Sequence, residues 1–217
     1  MARGTDFGGI HSYHDLHLIQ ASVSVQPAEP KFNFIDIPGA DGSKDFSESP
    51  AGRVLYNTRE ITWTFKLYPG EDWVTKYSEV SNAINGRACH IVLDEDPDYY
   101  YVGRVAVTQH VAESILHTIT VVATCQPYKL QQSETRVAAD LTTTNRTMSL
   151  VNDRMPVAPM ITVTAATTLT WKGGTYSLTA GTHKVLDIML AEGVNTLQAK
   201  TVSGTGTITI TYRKGAL

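Results

Sequence analysis

The sequence predicts a mainly β protein in two parts: an N-terminal antiparallel β domain carrying one packed helix, then a C-terminal β-sandwich. Three observations predict it. Residues 59–68, REITWTFKLY, alternate so that Ile61, Trp63, Phe65 and Leu67 point one way while Thr62, Thr64 and Lys66 point the other. Helical spacing of apolar residues occurs once, between Glu71 and Asn85. Beyond residue 160, short alternating stretches are separated by glycine turns, the pattern of a small sandwich.

In order along the chain, residues 16–25 start as a strand whose facing changes at Leu18–Ile19, after which Ile19, Ala21, Val23 and Val25 share one side. Pro27 and Pro30 interrupt a ladder and mark an edge or a bend. In FNFIDI, Phe32, Phe34 and Asp36 alternate with Asn33, Ile35 and Ile37, and Pro38-Gly39-Ala40-Asp41-Gly42 is a turn. Residues 43–58 are polar and irregular and read as a long loop, of the kind that orders against a partner. In the helix, Trp73, Tyr77, Val80 and Ile84 recur at helical spacing, with Glu71 and Asp72 in the first turn and Gly86 as the stop. Strands are expected at 88–93, 99–108 and 114–125. Residues 130–160 are rich in Thr, Ser, Asn and Gln with weak periodicity, which places a boundary near 133 and divides the chain into domains 1–133 and 134–217. The second domain is expected to hold strands at 160–164, 168–172, 175–178, 184–190, 195–202 and 207–213.

Composition narrows the function classes. The chain has 217 residues, 42% of them hydrophobic, enough for a real core without disulfide staples. Net charge is −3 and no cluster of Lys and Arg appears, which argues against sequence-specific nucleic-acid binding. Cys89, with Ile91 and Leu93, and Cys125, with Ile119, Val121 and Ala123, fall on apolar strand faces and read as reduced core thiols. No basic-then-apolar leader opens the chain, so a product kept in a reducing cytoplasm is expected, and the sequon Asn145-Arg146-Thr147 is discounted. The uncharged run 155–171 alternates and contains prolines, so it reads as strand and no membrane insertion is expected.

The candidate chemistry is thin. Asp94-Glu95-Asp96-Pro97-Asp98 has the spacing of a calcium loop but lacks its glycine, and Val105 stands where a bidentate glutamate belongs, so it reads as a solvated turn. His11, His14 and His17, with Asp15, lack a fourth metal ligand and read as surface histidines. No nucleophile elbow, zinc motif, phosphate loop or dinucleotide fingerprint is present, and no catalytic, cofactor-binding or metal residue is assigned. Tyr99, Tyr100 and Tyr101, with Trp63, Trp73 and Trp171, fit sugar stacking or core packing equally well.

An ordered series of short segments is similar to the distal tail proteins of long-tailed phages. It comprises Phe7-Gly8-Gly9, a proline-bearing strand, Ile37-Pro38-Gly39-Ala40-Asp41-Gly42, then Tyr56-Asn57-Thr58-Arg59 leading into the long strand. Gly193-Val194-Asn195-Thr196-Leu197 and the closing Tyr212-Arg213-Lys214-Gly215-Ala216-Leu217 complete it. Ala40 stands where a larger polar residue is common. The resemblance implies a structural, non-enzymatic virion component of a phage or prophage, assembled in the host cytoplasm and located at the tail tip. It implies a hexameric ring, or stacked rings, joining the tail tube to the baseplate around the DNA exit channel. On it, the first domain is tail-tube-like and forms the ring; the second is a peripheral galectin-like or carbohydrate-module-like sandwich. The implied partners are further copies of the chain, the tail tube protein, the tape-measure protein and tail-tip or receptor-binding proteins; no cofactor is implied. The alternative is a carbohydrate-binding adhesion module recognising host cell-surface glycans.

Overall fold

The computed structural model describes residues 3–68, 70–112 and 117–217. It is mainly β and divides into two compact units, Met1–Lys129 and Leu130–Leu217.

The first unit holds β1 (Thr5–Phe7), β2 (Ile19–Val25), β3 (Phe34–Asp36), β4 (Ser43–Asp45), β5 (Arg59–Lys66), helix α1 (Trp73–Ile84), β6 (Ala88–Leu93), β7 (Tyr99–Ala112) and β8 (His117–Cys125). Six of these strands form an antiparallel sheet in the order β1-β6-β7-β8-β5-β2. The alternation read in β5 is realised: Ile61, Trp63 and Phe65 are fully buried, opposite Ala123, Val121 and Ile119 of β8. Phe7 packs edge-on against Trp63, with ring centroids 5.1 Å apart, and against Phe65 at 6.4 Å.

The helix is capped by Asp72, whose carboxylate accepts the N–H groups of Val74 and Thr75, each at 3.3 Å. Asp72 is thus the cap and Glu71 precedes the helix, so both stand just before the first turn rather than in it. Val80 and Ile84 enter the core, and the helix end is fastened to β7. Asn85 Oδ1 accepts the Val107 N–H at 3.0 Å, Gly86 N donates to Val105 O at 2.8 Å, and Arg104 donates to Gly86 O at 2.6 Å. Val107 borders a bulge, so the Asn85 amide satisfies a donor at the point where the ladder is interrupted.

Several expectations are corrected. In β2 the facing changes within the strand, at a bulge between Gln20 and Ser22, so Gln20 faces Phe65 and Val23 faces Trp63. Leu16 and Leu18 are buried but precede the strand. The expected edge character holds, because β2 ends the sheet. Residues 43–45 of the expected loop are β4, paired with β3. Strand β7 runs past 108 to Ala112 because its bulge resets the alternation. Strand β8 begins at His117, and residues 114–116 of the expected strand lie outside the described residues.

The second unit follows β9 (Lys129–Gln131), which spans the unit boundary. It contains β10 (Thr135–Leu141), β11 (Arg146–Asn152), β12 (Met160–Val163), β13 (Thr167–Trp171), β14 (Gly174–Leu178), β15 (Gly181–Lys184), β16 (Gly193–Thr201), β17 (Gly206–Tyr212) and β18 (Gly215–Ala216). Two four-stranded sheets, β10-β17-β12-β15 and β11-β16-β13-β14, enclose a core that includes Leu150, Ile161, Leu169, Leu197 and Ile208. The polar stretch 130–160 therefore contains two full strands, β10 and β11. Their inward residues include small or amide side chains, Ala139 and Asn152, which blur the period. The strand expected at 184–190 is displaced to 181–184. Residues 185–190 form a loop in which Ile188 and Leu190 are buried while Leu186 is 71% exposed, so the apolar alternation belongs to a plug. Asn195, within the Gly-Val-Asn-Thr-Leu segment, is buried and holds this loop: its amide accepts from Ala191 N at 2.9 Å and donates to Ala191 O at 2.7 Å.

Gly103 has a packing reason of its own. It lies directly opposite both Cys89 of β6 and Cys125 of β8, so the three share one face of the sheet. A Cβ there would lie 2.5 Å from Cys125 Sγ and 2.9 Å from Thr124 O. The two cysteines are separated by a whole strand, about 10 Å, which is beyond disulfide reach. Both are free, and burial pushes the Cys125 thiol up to about 12. Gly103→Ala is expected to cost about 1–3 kcal/mol through overpacking. Cys125→Ala in the same background should recover part of that loss. Urea midpoints of the single and double variants, measured with and without reductant, check both statements; reductant should change neither.

Candidate assembly interface

The chain leaves the sheet after β2 and returns at β5, and its excursion is closed at the root. Lys31 N donates to Leu55 O at 2.7 Å, Asn57 N donates to Glu29 O at 2.8 Å, and Pro30 bridges Tyr56. Between these ties stands an arm built on the β3–β4 hairpin, with Phe34 opposite Asp45, Ile35 opposite Lys44 and Asp36 opposite Ser43. Its turn uses Pro38, and Gly39 and Gly42 adopt φ of 83° and 71°, which only glycine takes at little strain.

Side-chain hydroxyls stiffen the arm. Ser43 Oγ donates to Asp36 at 2.5 Å, and Ser47 Oγ accepts Asn33 N at 2.8 Å. The Ser47 hydroxyl, and after it the Ser47 N–H, hold the Asp45 carboxyl below the usual carboxylate range, so Asp45 is anionic at neutral pH.

The arm buries almost nothing. Phe32 is 63% exposed, Phe34 58% and Ile35 46%, with Ile37 and Phe46 at 37%; Ser47 is its one buried side chain. A two-stranded hairpin in water is marginal by itself, and this one exposes five large apolar side chains, with Phe32 and Phe34 on one face and Ile35 and Ile37 on the other by alternation. At the usual value for burying such side chains, covering them is worth about 5 kcal/mol. The sequence shows the turn; the exposure of Phe32 and Phe34 is not visible in an alternating pattern that equally fits a core strand.

The other residues considered for chemistry have structural work. The Asp94–Asp98 turn is an ion-pair hub: Asp94 accepts Gly4 N at 2.8 Å and bonds His11 Nε2 at 3.1 Å, Glu95 pairs with Arg3 at 2.9 Å, and Asp96 with Lys129 at 2.6 Å. His11 is half-buried rather than a surface residue. Its Nδ1 accepts the N–H groups of Tyr13 and His14, so the proton sits on Nε2, facing Asp94. His14 and His17 are exposed, and the His14 ring lies tilted against that of His11, with centroids 4.5 Å apart. Among the described residues, no three His, Cys, Asp or Glu side chains are grouped so as to hold a metal. Tyr100 and Tyr101 are buried, against His90 and Arg59, and Tyr99 lies under Lys129, so this strand packs its tyrosines. In the second unit, Trp171 and Tyr212 are buried and Tyr176 is half-buried against the core, which leaves no exposed aromatic platform there.

No family model and no curated protein matches the chain. Among solved structures it is similar to the crystal structure of the Dit protein of phage SPP1, at 16% sequence identity and a TM-score of 0.70, with 100% of each chain covered. That structure is described as a paradigm of the hub adsorption apparatus of phages infecting Gram-positive bacteria. The likeness is one of fold over the full length, and it is the mainly β fold that the distal-tail resemblance implied.

One cluster in the first unit gives a pH dependence. Trp73 stacks on His110 at 4.5 Å and on His117 at 5.8 Å, Tyr77 lies 5.4 Å from His110, and His110 Nε2 is buried without a partner among the described residues. Burial first, and His117 second, lower the His110 pKa from 6.5. A histidine with a depressed folded pKa contributes stability that is complete above the unfolded value and is lost as pH falls through the folded one. Unfolding free energy is therefore expected to drop as pH is lowered below 6.5, and His110→Phe should remove that part of the profile. Urea titrations between pH 7.5 and 5, followed by tryptophan fluorescence, check it.

Proposed function

We propose that the chain is a structural hub protein of a phage tail tip, a distal tail protein whose mechanism is self-assembly and docking. The observation that carries this reading is the arm 31–55: tied at its root, rigid in its turn, and apolar on surface that its own unit does not cover. The full-length likeness to the SPP1 hub protein supports it, and so does the structural use of the residues first considered for chemistry.

On this reading the first unit forms the ring, six copies surrounding a DNA exit channel, and each arm lies on the next copy. Low charge without basic clusters suits a passage that DNA traverses without being held. The second unit projects to dock tail-tip or receptor-binding proteins, and the ring abuts the tail tube and tape-measure proteins. The role needs no enzymatic step. Among the described residues no helix is long and apolar enough to cross a membrane. The carbohydrate-binding alternative loses ground because the aromatic residues of the second unit are packed inward.

The test is a triple substitution in the arm: Phe32→Ser, Phe34→Ser and Ile35→Ser. These side chains are exposed, so unfolding should shift by no more than about 0.5 kcal/mol per site, while the ring dissociates to monomer. Sedimentation velocity beside thermal unfolding reads both quantities. A ring that survives the triple substitution removes the arm from the interface.

A further inference from the structure

Arg59, the first residue of β5, is the one buried arginine among the described residues, at 6% exposure. Its Nε is buried without a hydrogen-bond partner, and no carboxylate or carbonyl of the described residues bonds its guanidinium. The cation lies over the ring of Tyr101, 5.7 Å from the centroid. It is also directly opposite Cys125, whose thiol burial holds at about 12, so no thiolate neutralises it. A guanidinium does not lose its proton in a protein. A ring face offsets part of the cost of burying the charge, but it satisfies none of five in-plane donors.

Arg59 stands beside the root of the arm. Three residues beyond the Arg59–Cys125 rung, Tyr56 and Tyr128 meet edge to face at 5.9 Å, and both are half-buried. Tyr56 is also the root of the arm, through its bridge to Pro30. The nearby cation Lys129 is already paired with Asp96 at 2.6 Å. Arg59 is the cation left over.

A matching anion stands at the other end of the arm. The tip Gly39-Ala40-Asp41-Gly42 carries one carboxylate among residues with little or no side chain, so the backbone can approach closely. Asp36 and Asp45 are engaged by Ser43 and Ser47, whereas the Asp41 carboxylate has no side-chain partner among the described residues.

We infer that Arg59 is the socket for the Asp41 carboxylate of a second copy of this chain, with the arm tip of one copy seated at the arm root of the next. A tip-to-root contact is head-to-tail, the kind that closes into rings rather than two-fold dimers. This inference rests on the assembly reading above and names the ion pair that fixes its register.

The experiment is a double-mutant cycle on the ring: Arg59→Met, Asp41→Asn and both together, with assembly followed by light scattering across a dilution series. Each single substitution should raise the dissociation concentration at least about thirtyfold, and the double should be no worse than Arg59→Met alone. Because Arg59 has no ion-pair or hydrogen-bond partner among the described residues, Arg59→Met should leave the thermal midpoint of the monomer equal or higher. A lowered midpoint would mean that the arginine supports the fold and would overturn the inference; so would additive effects of the two substitutions. Intact rings in all three variants would sink the ion pair alone, while a wild-type monomer at every concentration would overturn the assembly reading with it.

Discussion

Strand β5 is the constraint on which the first unit depends. It is hydrogen-bonded along its length to β8 on one side and to β2 on the other, and its three inward side chains, Ile61, Trp63 and Phe65, are wholly removed from water. Burying three such side chains stabilises the unit by about 5–8 kcal/mol, a sum comparable with the net stability of a whole domain. The same strand fixes the position of everything in front of it. Its first residue is the buried Arg59, and the chain that feeds it is the returning limb of the arm. A one-residue slip would put Glu60, Thr62 and Thr64 into the core, so the register is strongly specified.

With the sheet so firmly determined, the arm is the opposite case. It is rigid by turn chemistry and root hydrogen bonds, yet it has no core. A monomer would keep five large apolar side chains in water at the end of a hairpin, which is an aggregation liability unless another surface covers them. The assembly we propose would resolve that conflict, and by the same contact it would give the Arg59 guanidinium the partner it lacks among the described residues. The second unit has a core of its own. It is closed between two sheets, the Nδ2 groups of Asn152 and Asn195 donate to backbone carbonyls, and loop 185–190 buries Ile188 and Leu190 against it.

Much of this architecture was legible in the sequence where one period dominates. Strand β5, helix α1 and most strands beyond residue 160 follow from alternation, helical spacing and glycine turns. What was missed has local causes. The bulges in β2 and β7 each reverse the facing mid-strand, which defeats a period of two. Strands β10 and β11 hide among threonines because their inward positions include Ala139 and Asn152 rather than a run of large aliphatics. The plug at 185–190 imitates a strand because its inward and outward residues happen to alternate. The candidate interface was half legible. The turn Pro38–Gly42 announces a hairpin, but whether Phe32 and Phe34 face a core or water is decided by long-range packing. The burial of Arg59 is decided by Tyr101 and Cys125, far away in the chain.

The central claim is that this chain completes itself by contact with copies of itself, and the mass of the unaltered protein tests it most directly. Multi-angle light scattering over a concentration series should give a particle of six chains, or twelve for two stacked rings, that persists on dilution. A strict monomer at all concentrations, with the arm's apolar side chains still in water, would contradict the account.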